Sequence, residues 1–131
     1  MEVYNRDLDF WSVVPALELP QSISKHCVVA LDENRVMVIG GSYPDSMKTS
    51  IILDLTTGEW KIASPPPTER YAHGCLVTEM EGFRGVMVTG GLDGRSGAGD
   101  TFPARQTEFY QASVKLNSSG YHNDEMLNYE I

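Results

Sequence analysis

The chain has 131 residues, 41% apolar and 21% charged, which suits one globular domain and excludes a disordered chain. Its 18 acids against 10 bases give a net charge of −8, which argues against a nucleic-acid partner because phosphates would be repelled. No apolar run is long enough to span a membrane, and MEVYNRDLDF lacks the basic and apolar regions of a signal peptide, so a cytoplasmic chain with no membrane partner is expected.

The predicted elements are all β. MEVYN-RDLD-FWSVV reads as a hairpin in which Tyr4 faces Trp11. Short runs rich in β-branched residues follow near 26–31 and 35–40, and the second closes on Gly40-Gly41. SIILDLTTGEWKIA is another hairpin, with strands near 50–55 and 59–63. Gly58 there supplies the positive φ of the turn. HGCLVTE near 72–78 and GVMVTGG near 85–90 repeat the earlier pair, the latter closing on Gly90-Gly91. The glycine-rich GGLDGRSGAGD at 90–100 lacks the G-K-[ST] ending of a phosphate loop and reads as a flexible connection. TEFYQ at 107–111 is the last expected strand. Residues 112–131 are polar and read as a divergent or poorly ordered tail. No segment carries a helical period.

The order Trp, Pro, His, Gly-Gly occurs twice, as Trp11, Pro20, His26, Gly40-Gly41 and as Trp60, Pro67, His73, Gly90-Gly91. A period of about 50 residues with four short strands is the signature of a propeller blade.

These residues resemble kelch repeats. The matching features are the glycine pairs, the E-V-Y and E-F-Y strands, Trp11 and Trp60, and Arg70-x-x-His73. The resemblance covers residues 1–111, with repeat junctions near 12–25 and 64–71. It implies an incomplete β-propeller of about two four-stranded antiparallel blades plus an N-terminal half-blade. Departures are Ile23 where the second repeat has Arg70, and Asn117 where a third Trp would stand. Two repeats do not close a ring of four to eight blades, so the remaining blades are expected from a longer chain or from self-association.

Trp11, Trp60, Tyr4 and Leu53 are expected to fill the gaps between stacked sheets. His26 and His73 are expected to fix strand starts by hydrogen bonding rather than to hold metal. Counted from these histidines, Cys27 and Cys75 are one residue out of step and face opposite sides of their sheets. Packed sheets lie about 10 Å apart, so free thiols are expected.

Kelch resemblance implies a protein or peptide partner on the face formed by loops leaving the second strand and entering the first. The matching positions are Tyr43, Asp45, Asp93 and Arg95, then Ser24, Arg70 and Tyr71. Arg and Tyr favour interaction hot spots, and Arg70 could pair with a partner carboxylate or serve the repeat junction. No catalytic residue, cofactor or metal is assigned. Asn117-Ser118-Ser119 is set aside as a chance sequon, and His122, Asp124 and Glu125 as a chance cluster. The expectation is a non-enzymatic adaptor or scaffold module, for example one presenting substrates to a cullin-type ubiquitin ligase. The alternatives are a fragment of a kelch-like oxidase or sugar epimerase, and an actin-associated propeller.

Overall fold

The structure, a computed structural model, describes residues 1–43, 47–80, 83–94, 101–111 and 125–127. They form antiparallel sheets, none of them closed, and no α-helix. The N-terminal hairpin joins β1 (Glu2–Asn5) to β2 (Phe10–Val13). A 3-10 turn at Pro15–Leu17 follows. The first four-stranded sheet runs in the order β3 (Cys27–Ala30), β4 (Arg35–Ile39), β5 (Ser50–Asp54) and β6 (Glu59–Ile62).

The second sheet opens with β7 (Gly74–Met80) and β8 (Phe83–Thr89). A small ribbon then intervenes, β9 (Leu92–Gly94) on β10 (Thr101–Pro103). The sheet resumes with β11 (Glu108–Gln111) and ends with β12 (Glu125–Leu127). Two expectations change here. Part of the flexible connection at 90–100 is paired strand, and the polar tail supplies the fourth strand of the second sheet. β12 is short and has no apolar alternation, so its place is set by the open edge of β11 and not by its own pattern.

The hairpin turns show why the N-terminus echoes β5–β6. The Asn5 Oδ1 accepts from the Asp7 and Leu8 amides at 3.1 and 3.0 Å. Asp54 does the same for Thr56 and Thr57 at 2.8 and 3.2 Å. In both turns a side-chain oxygen replaces a backbone acceptor two residues on. A left-handed residue then restarts the strand, Asp9 at φ 52° and Gly58 at φ 74°. The register follows: Tyr4 faces Trp11, and Leu53 faces Trp60.

The core lies between the two larger sheets. Val29, Leu31, Met37, Ile39 and Ile52 of the first pack with Val86, Val88 and Tyr110 of the second. Met37 and Ile39 share one face because side chains alternate along a strand. Val38, Ile51 and Leu53 are buried on the other face, so β5 is covered on both sides. Each such aliphatic side chain contributes about 1.5–3 kcal/mol by leaving water. Trp11 differs from its expected role as a filler. It is 66% exposed and its ring lies 5.2 Å from that of Tyr4, because no second sheet covers the hairpin among the described residues.

The expected free thiols are also corrected. Cys27 and Cys75 form a disulfide with their Cα atoms 6.1 Å apart. The two cysteines do stand at opposite parity, and this brings them together. In two sheets stacked with the same orientation, opposite-facing positions look at each other. The bridge sits where β3 and β7 approach, inside the usual sheet spacing. Closing a loop with a sequence separation of 48 contributes about 4 kcal/mol on unfolded-chain entropy alone. Such bridges persist in oxidising compartments and are rare in the cytosol, so cysteine usage does not support a cytoplasmic address. Among the described residues no helix is long and apolar enough to cross a membrane.

Candidate binding cleft at the glycine-pair end

Both glycine pairs sit just past a second strand, and the second glycine of each has a left-handed φ, 104° at Gly41 and 85° at Gly91. The missing Cβ matters as much as the φ. A Cβ on Gly41 would stand 2.9 Å from the Ser24 carbonyl oxygen, and one on Gly91 2.6 Å from that of Tyr71. The chain entering each first strand therefore lies against the end of the second. The result is a matched pair of bridges, Ser24 with Ser42 and Tyr71 with Leu92. Each exchanges two backbone hydrogen bonds of 2.9–3.1 Å, with Ser24 and Ser42 donating to each other at 3.1 and 2.9 Å and Tyr71 and Leu92 at 3.1 and 2.9 Å.

The two sheets are tied at this end by backbone as well. The Gly41 amide donates to the Arg70 carbonyl and the Ala72 amide to the Lys25 carbonyl, both at 2.8 Å. Lys25 and Ala72 occupy equivalent positions, each just before its histidine, and each has φ 54°.

Arg70 is the centre of this junction. Its side chain is 0% exposed. Nη1 donates to the carbonyls of Gly90 and Gln106 at 2.9 and 3.1 Å. Nη2 lies 2.9 Å from the Glu108 carboxylate, whose Oε1 also accepts from the Thr68 amide at 3.1 Å. The guanidinium is thus enclosed and paired within the chain, so it is not presented to a partner. Of the two roles expected for it, the structure places it in the junction.

The histidines pack rather than bridge. His73 lies against both glycine pairs: a Cβ on Gly40 would meet its Cε1 at 2.5 Å, and one on Gly91 its Cβ at 2.7 Å. Neither of its buried ring nitrogens has a hydrogen-bond partner, and His26 Nδ1 has none. For His73 the expected hydrogen bond is therefore not seen, because the glycines leave space that the ring fills. Burial, and then the nearby charge of Arg70, hold the His73 pKa below its ordinary 6.5. The backbone of Ile39 lies near enough to favour the proton slightly, but outside hydrogen-bond geometry, and burial outweighs it. The unfolded chain thus takes up this proton first as pH falls. Stability should be flat above about pH 6.5 on this account and decline below it until the folded pKa is passed. Urea midpoints of the native chain and of His73→Gln, measured from pH 7.5 down to 5, should converge at the acid end relative to their separation at neutral pH. Parallel curves would remove His73 as the cause.

Above the junction is an open cleft of about 300 Å³, lined by Lys48, Pro67, Thr68, Glu69, Asp93 and Gln106. It straddles the sheets: Lys48 comes from the loop after β4, Asp93 from β9, and the others from the segments entering β7 and β11. Its floor is held from below, since Thr68 and Gln106 both bond the Arg70–Glu108 pair.

Of the expected partner residues, Asp93 lines the cleft. Ser24 is exposed, and its hydroxyl donates to the Ser42 carbonyl at 2.9 Å. Tyr43 is 67% exposed in the loop leaving β4. Tyr71 is half-buried, with Lys25 Nζ 5.0 Å above its ring centre. Asp45, Arg95, Asn117, His122 and Asp124 lie outside the described residues, and Glu125 falls in β12. Sequence reasoning missed Lys48, Thr68, Glu69 and Gln106. Their neighbours Tyr43, Arg70 and Glu108 were in view, and polar residues flanking a repeat junction were the available signal.

No protein-family model matches the chain, and no curated protein matches it. Among the described residues no group of three or more His, Cys, Asp or Glu side chains is arranged to hold a metal ion. What the cleft offers chemically is mixed charge and hydrogen-bonding groups above the Arg70–Glu108 pair.

Proposed function

We propose that this chain is part of a kelch-type β-propeller and serves as a non-enzymatic module that binds a protein or peptide in the cleft at its glycine-pair end. One observation carries the reading. The two larger sheets repeat the same loop geometry at the same end, down to the paired bridges Ser24–Ser42 and Tyr71–Leu92, and the cleft opens across them. Loops displayed by a rigid β scaffold are a common place for recognition. The cleft's Lys48, Glu69 and Asp93 suit a polar, charged segment of a partner. An adaptor role, such as substrate presentation to a cullin-type ligase, is consistent with such a module.

The test is selection from a displayed library of random peptides against the purified chain. Enriched peptides should bind Asp93→Lys at least tenfold more weakly, which is about 1.4 kcal/mol, while the thermal midpoint of the variant stays within a few degrees. No enrichment, or enriched peptides indifferent to Asp93→Lys, would reject the cleft as the binding site.

A further inference from the structure

We propose that the Cys27–Cys75 disulfide is a redox-controlled latch that sets the geometry of the cleft. Three ties cross between the sheets in a row at this end. They are the bridge itself, the Ala72 amide on the Lys25 carbonyl, and the Gly41 amide on the Arg70 carbonyl. Cys27 follows Lys25 by two positions, and Cys75 follows Ala72 by three. The row continues into the cleft floor through the side chain of Arg70, which holds Gln106 and Glu108, and Glu108 in turn holds Thr68. Lys48 belongs to one sheet's loop and Asp93 to the other's, so the cleft changes shape when the sheets shift.

The middle tie is under strain. Lys25 and Ala72 both carry a left-handed φ of 54° with a Cβ present. A residue with a side chain is strained there and persists only where its surroundings enforce it. The bridge, two and three residues away, is the covalent part of that enforcement. Opening it lets both residues relax toward ordinary φ, which breaks the Lys25–Ala72 hydrogen bond and loosens the Gly41–Arg70 bond beside it.

The chemistry is thiol–disulfide exchange with a small-molecule thiol. One external thiolate attacks a bridge sulfur and forms a mixed disulfide, releasing one protein thiolate. A second external thiolate attacks the small-molecule sulfur of that mixed disulfide, breaks its bond to the protein, releases the second protein thiolate and leaves as the oxidised small-molecule disulfide. The protein gains two electrons and two protons. Both cysteines are half-buried and not sealed in the core.

The cleft is the one assigned to partner binding above, but the latch is read with nothing bound, so a failed peptide selection and a failed latch are separate results. Isotope-labelled full chain is examined by NMR before and after dithiothreitol, with its mass taken under non-reducing conditions. Through-hydrogen-bond couplings from the Ala72 and Gly41 amides should be lost on reduction. Those across β4 and β5 should persist, and the Thr68, Asp93 and Gln106 amide signals should move. Cys27→Ser/Cys75→Ser should give the reduced spectrum without reductant. Unchanged couplings at Gly41 and Ala72 would overturn the latch and leave a passive staple. Collapse of the whole spectrum to that of an unfolded chain would also overturn it, as would a non-reduced mass showing two free thiols.

Discussion

Arg70→Met should lower the free energy of unfolding by about 3–5 kcal/mol, a loss read from the urea midpoint at constant m-value. The cause lies in what remains, not in the contact removed. Glu108 has a side chain only 7% exposed, and without Arg70 its carboxylate stays buried with its opposite charge gone and the Thr68 amide still donating to it. The carbonyls of Gly90 and Gln106 lose their donor at the same time. A buried acceptor left unmade costs about 1–3 kcal/mol. Arg70→Lys should recover only part of the loss, since an ammonium can reach the carboxylate but cannot serve three acceptors in the plane of a guanidinium. The decisive comparison is Arg70→Met/Glu108→Leu. If the single variant suffers from a stranded charge, the double variant should be more stable than Arg70→Met alone. If the losses of the two single variants simply add in the double variant, the pair has no coupling energy, and the stranded-charge account fails.

The local parts of this fold were legible because they depend on neighbours in the chain. Asn5 and Asp54 mark turns whose chemistry is complete within four residues, and Gly58 has the positive φ expected of it. Strand positions followed from alternation, and the seven strands expected from 26–31 to 107–111 lie within two residues of those observed. What the sequence could not show were distances between sheets. Cys27 and Cys75 were correctly read as facing opposite ways, yet only the stacking of β3 against β7 turns that into a bridge. For Arg70 both a partner contact and a place in the repeat junction were open, since charged side chains seldom lie fully inside unless paired. Its partner Glu108 comes from a strand far along the chain, and no local pattern announces it. β12 was illegible for the same reason, as three residues, Glu125-Met126-Leu127, too few to show a strand pattern and placed by the edge of β11. Of the candidate cleft, Asp93 was found through the loop argument, while Lys48, Thr68 and Gln106 are brought together only by the meeting of two sheets.

Matched glycines should not respond alike, and this separates motif from environment. Gly40 and Gly90 hold the same place in their repeats and have similar φ values, 61° and 69°. A Cβ on Gly90 would meet nothing within 4 Å. A Cβ on Gly40 would stand 2.5 Å from both the Arg70 carbonyl oxygen and the His73 ring, because the second sheet's entering segment lies against it. Gly90→Ala should therefore cost only the left-handed penalty of a side chain, about 1–2 kcal/mol, less the entropy it removes from the unfolded chain. Gly40→Ala carries that penalty plus a clash with backbone that cannot swing aside, and with it the neighbouring Gly41–Arg70 hydrogen bond. Its cost should exceed that of Gly90→Ala by about 2 kcal/mol or more, within the range of overpacking in a close-packed site. Thermal or urea unfolding of the two variants side by side reads the difference directly. Equal losses would mean that Gly40 answers only to its φ, and that the second sheet's entering segment does not lie against it in solution. A larger loss at Gly40 would show that the glycine pair serves the meeting of two sheets, beyond the turn that ends a strand.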